Sequence, residues 1–126
     1  MKIVIVMLVI ILAFFAMSIY GHIQMKNTAE QLSKKLDRIE DCIEKEDWTL
    51  GQEYMDELKV SWSHVKKKWT ITLDHEEIDN IDVTVARIDQ FIKTREKPSA
   101  MAEIAVLRLY ILHIPEKEAF RLSNLL

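Results

Sequence analysis

Apolar residues run unbroken from Ile3 to Met17, and no charged residue follows Lys2 until Lys26. As a helix, the 23 residues Ile3–Met25 extend about 35 Å at a rise of about 1.5 Å per residue. That length crosses a hydrocarbon layer about 30 Å thick with some tilt. The segment has no polar face, so it does not read as a helix at the edge of a water-soluble core. Tyr20 and His22 stand at its exit, where amphipathic rings favour the lipid–water interface. The pattern predicts a transmembrane signal-anchor helix over 1–25. A cleaved secretory signal competes with it, because Lys2 supplies a basic start and Ala16-Met17-Ser18 a small-x-small cleavage site. The apolar run exceeds the usual signal core of roughly 7–15 residues, and no turn-forming residue precedes the site. Both facts favour the anchor.

Past residue 25 the pattern becomes that of amphipathic helices. Ala29, Leu32, Leu36, Ile39 and Ile43 recur at alternating intervals of three and four, a heptad stripe backed by Lys34, Lys35, Asp37 and Glu40. This helix continues from the anchor and is expected to end near Glu46. A second begins around Asp47 to Thr49, both good N-caps. Its stripe is Trp48, Met55, Leu58, Trp62, Val65 and Trp69, with Gly51 at one step, and it ends on Lys66-Lys67-Lys68. Cations there match the helix dipole, and contact with anionic lipid headgroups is the alternative role. Asp74 is the expected N-cap of a third helix carrying Ile78, Ile81, Val85, Ile88 and Ile92 and running to about Arg95. Lys97-Pro98 stops it. Ser99 is expected to cap a fourth helix with Ile104, Leu107, Ile111 and Leu112, ending near His113. Ile114-Pro115 then breaks the chain before a short last helix that buries Phe120 and Leu125. The predicted fold is all-α: a transmembrane helix, then a small antiparallel up-and-down bundle of four to five helices over 26–126.

Composition narrows the classes. Two Gly and two Pro in 126 residues argue against a β-rich fold. Residues 1–26 hold Lys2 and Lys26 and no acid, so the remainder carries 15 basic and 20 acidic groups. An acidic domain suits nucleic acid poorly, since that binding rests on neutralising phosphates. Orientation has two opposing signals. Lys2 and the α-amino group favour a cytoplasmic N-terminus and an extracytoplasmic bundle, whereas Lys26, Lys34, Lys35 and Arg38 favour the reverse. The expectation is an extracytoplasmic bundle. Cys42 stands alone, so no intrachain disulfide forms, and its place beside Ile43 reads as packing.

Candidate chemistry concentrates at Asp74-His75-Glu76-Glu77-Ile78-Asp79 and Asp82. His75 and Asp79, four apart, share a helix face and could share a metal or a proton with Asp82 nearby. Neither Glu-x-x-His nor His-Glu-x-x-His occurs in the chain, which weakens the metal reading. The plainer reading is a capped, acidic helix start with His75 against Trp69. His22, His64 and His113 have no nucleophile in a recognisable setting, and Gly21 and Gly51 are too isolated for a phosphate loop. No catalytic residue and no cofactor are expected.

From Trp62 through Trp69 to His75-Glu76-Glu77-Ile78-Asp79 the chain resembles an uncharacterised family of small bacterial proteins, a domain of unknown function found mainly in endospore-forming Gram-positive bacteria. The likeness takes in the N-terminal hydrophobic segment, His113-Ile114-Pro115-Glu116 and the ending near Asn124. It implies a membrane-anchored helical protein, accessory to another membrane protein, and transfers no activity. The expected function is therefore a non-catalytic interaction subunit at the membrane. Its partners are the bilayer and a membrane protein or a second copy, with Trp48, Trp62, Trp69, Leu36 and Ile39 as the candidate contact residues. Two rivals remain: an enzyme centred on His75 and Asp79, and a secreted domain freed by signal cleavage.

Overall fold

The computed structural model describes residues 1–125, with Leu122 and Leu125 described by backbone alone. It contains four helices: α1 (Lys2–Glu44), α2 (Trp48–Trp69), α3 (His75–Lys93) and α4 (Lys97–Leu125). Packing runs along four seams, α1–α2, α2–α3, α3–α4 and α4–α1, which close a square bundle. Connections of three to five residues reverse the chain each time, giving the up-and-down topology. The apolar segment is the first half of α1. No break separates it from the stretch that enters the bundle, and α1 is the one helix long and apolar enough to cross a membrane among the described residues.

The heptad stripes are the core. Leu36, Ile39 and Ile43 of α1, Met55 and Leu58 of α2, Ile81, Ile88 and Ile92 of α3 and Ile104, Leu107 and Ile111 of α4 are all fully buried. Burial of each such side chain contributes roughly 1.5–3 kcal/mol before the entropy of ordering it. Trp62 and Trp69 meet edge to face, with ring centroids 5.9 Å apart and planes at 74°. Where α1 and α2 approach, the missing side chain of Gly51 faces Cys42, and an added Cβ would stand 3.5 Å from it.

Two helix ends explain how so few glycines suffice. After α1, the Glu46 and Asp47 amides donate to the Ile43 and Cys42 carbonyls (3.0 and 2.8 Å), the paired bonds of a Schellman motif. After α3, Arg95 and Glu96 repeat it with Ile92 and Phe91 (3.1 and 2.9 Å). The motif needs a left-handed residue at its centre, and Glu46 (φ 57°) and Arg95 (φ 56°) supply it without glycine. Lys97 Nζ also donates to the Glu44 carbonyl at 3.0 Å, satisfying an end group of α1.

Several boundaries differ from the sequence reading. Helix α3 ends at Lys93, and α4 opens at Lys97, ahead of Ser99. Asp47 caps α2 as expected, accepting from the Leu50 amide at 3.2 Å. Asp74 occupies the N-cap position of α3 but makes no side-chain cap bond; its carboxylate instead receives Arg121 at 3.4 Å. The largest correction is at Pro115, which lies inside a continuous α4 and breaks nothing. Proline in a helix interior costs about 3 kcal/mol or more, because a backbone bond is lost and the ring crowds the preceding turn. Tertiary contact outweighs that here. Ile111, Ile114 and Pro115 are buried together, and beyond them Lys117 pairs with Glu77 at 2.6 Å and Arg121 with Asp74. Phe120, expected inside, is exposed, and the burial of Leu125 lies outside the described side chains.

Candidate functional site

The acidic start of α3 lies largely at the surface. His75 and Asp79 are exposed, so His75 does not bury against Trp69. Asp82 is already committed: Trp62 Nε1–H donates to its Oδ1 at 2.7 Å and Lys66 Nζ to its Oδ2 at 2.5 Å. Among the described residues, no three His, Cys, Asp or Glu side chains gather as metal ligands. Cys42 is buried. Burial, then the nearby Asp47 and Asp41 carboxylates, push its thiol pKa up and away from reactivity.

Polar groups inside the bundle act as clasps between helices. On the α2–α3 seam, Asp89 accepts from Gln52 Nε2 at 2.9 Å and Lys93 Nζ at 2.9 Å, and it pairs with Lys59 at 3.2 Å. Burial would raise the Asp89 pKa, but these donors outweigh it and hold the carboxyl below its ordinary value. On the α1–α4 seam, Arg108 donates to Asp37 at 2.8 Å and to Glu40. Burial opposes its charge, and the two acids more than restore it.

The sequence-predicted contact residues turn inward. Trp62, Trp69, Leu36 and Ile39 are buried in the core and Trp48 is half-buried, so they form the bundle's interior and present little or no surface. Within the bundle, exposed apolar side chains gather into a ridge on α4. Ala100, Ile104, Leu107, Ile111 and Ile114 face the core, while Ala102, Ala105, Val106, Leu109 and Leu112 share the opposite face and are exposed, Leu109 at 63%. The two charged residues in this stretch lean sideways and leave the ridge bare. Glu103 reaches Arg87 on α3 at 3.8 Å, and Arg108 reaches α1. A helix that is apolar all round is normally enclosed on every side, and α4 is enclosed on one. The absence of a polar face between Ala100 and Leu112 was the available signal. Heptad periodicity marks the inward positions and carries no sign of this outer face.

The molecule thus defines a class: a four-helix bundle continuous with one long apolar helix and bearing an exposed apolar ridge. Residues 19–125 match the family described as a domain of unknown function, DUF4363, and the chain belongs to that family. The match opens at Ile19, past the unbroken apolar run, and takes in the whole bundle. No curated protein and no solved structure matches the chain.

Proposed function

We propose that this chain is a membrane-anchored, non-catalytic interaction protein whose docking surface is the outer face of α4. One observation carries the reading: Ala102, Ala105, Val106, Leu109 and Leu112 form an exposed apolar ridge flanked by side chains already engaged with α1 and α3. Apolar surface of that kind on a small domain marks an interface. Leu112 also shares a groove with His22, Lys26 and Pro115, so the ridge runs down to where α1 leaves its apolar segment. That course suits an apolar helix of a second membrane-held chain lying alongside α1, whether another protein or a second copy.

A photo-crosslinking residue at position 109 tests this in intact membranes, with position 90, exposed on α3, as control. A discrete crosslinked product at 109 that is lost in Val106→Glu, with helicity preserved, is the expected result. Monomer alone at both positions contradicts the proposal. We place the bundle outside the cytoplasm because Lys2 precedes the span. Lys26, Lys34, Lys35 and Arg38 pull the other way. An alkaline phosphatase fused after the bundle is expected to be active, and an inactive but stable fusion reverses the orientation.

A further inference from the structure

We infer that the α2–α3 turn is a second membrane contact, seating Ile71 among the headgroups of an anionic lipid surface with Lys67 and Lys68 beside it; this rests on the membrane-anchored reading of α1. The depth of the turn is set by its neighbours. Met17, Gly21, His22 and Met25 of α1 share a cavity of about 260 Å³ with Thr72 of the turn and Glu118 of α4. If the apolar run enters the hydrocarbon at Ile3, a layer about 30 Å thick spans about 20 residues of helix and ends near His22. The turn therefore lies at the level where lipid gives way to water.

Its surface suits that level. Ile71 is 87% exposed at the tip of the turn, and Phe120 is 68% exposed half a turn beyond Glu118. In water these are two isolated apolar side chains at one end of the bundle, whereas an interface accepts both. Lys66 is held by Asp82, while Lys67 and Lys68 make no ion pair among the described residues. The acids of this end are mostly committed, with Asp74 and Glu118 on Arg121 and Glu77 on Lys117. Glu76 and Asp79 stand unpaired at this end alongside the two lysines. The lysines also end α2, whose carbonyl terminus favours cations, a place that suits contact with lipid phosphates. Together with α1, this contact fixes the tilt of the bundle and the height at which the α4 ridge is presented.

The test uses the full chain with Cys42→Ala and a single environment-sensitive fluorophore at Ile71→Cys or, at the opposite end, Lys45→Cys. Samples are reconstituted in phosphatidylglycerol or phosphatidylcholine vesicles with a headgroup-level spin label. The expected result is quenching at 71 and none at 45. Quenching at 71 should be stronger in the anionic vesicles, with the surface contact weakened about tenfold or more by Lys67→Glu with Lys68→Glu. Chains that float with the vesicles but show no quenching at 71 overturn this contact and leave the anchor standing. Equal quenching in both lipids overturns the anionic headgroup assignment, and chains that do not float overturn the anchor and the contact together.

Discussion

Glu46 and Arg95 carry left-handed backbone that a glycine would adopt without a Cβ penalty, and neither side chain makes an ion pair among the described residues. A non-glycine residue in that region costs roughly 1–2 kcal/mol, partly offset by the larger unfolded-state freedom of glycine. Glu46→Gly and Arg95→Gly should each stabilise the bundle by about 0.5–1 kcal/mol in urea unfolding. A loss of stability would contradict the two helix ends as described. Asp89 is expected to contribute acid sensitivity to the fold. Its folded pKa is lowered, so its contribution is complete above the unfolded value of about 3.9 and is lost as pH falls through the folded value. Asp89→Asn should cost about 1–3 kcal/mol at neutral pH and flatten the loss of stability below pH about 4. An unchanged acid limb in the variant removes Asp89 from that role.

Helix by helix, the apolar stripes were legible because inward positions recur at three and four whatever the tertiary detail. Ala29 to Ile43, Met55 to Trp69 and Ile78 to Ile92 fall in the core, with Val65 half-buried against it. Legibility failed where local rules met tertiary contact. Pro115 reads as a break from its missing amide, yet the burial around Ile114 and the anchoring of Lys117 and Arg121 on α3 carry the helix past it. Asp74 reads as a cap, yet Arg121, forty-seven positions away, claims its carboxylate. The Trp stripe falls in the core, with Trp62 and Trp69 buried, which leaves those two little surface for a partner, because periodicity locates a face without saying what covers it. The α1 helix divides its labour in the same terms. Ile3 to Ile23 touch little of the bundle, and Ala29 to Ile43 supply one wall of it. A fragment of residues 24–126 should keep the thermal unfolding transition of the intact bundle as followed by circular dichroism. An unfolded fragment would mean that the apolar half is part of the core.

At the scale of the molecule, one unbroken helix joins an exposed apolar segment to a bundle whose contiguous apolar ridge lies on α4, with Val60, Ile71 and Val83 exposed singly elsewhere. The fold class and the anchor pattern came directly from the sequence, whereas the ridge needed the structure to show which face α1 and α3 leave open. The proposed placement of the bundle depends on α1 staying whole in lipid. Alkaline carbonate extraction of membranes carrying the chain, followed by an intact mass measurement, addresses that most directly. The protein is expected to stay in the membrane pellet at the full mass of the sequence, Met1 to Met17 included. A protein released to the supernatant, or one whose mass begins after Ser18, would contradict the proposed placement.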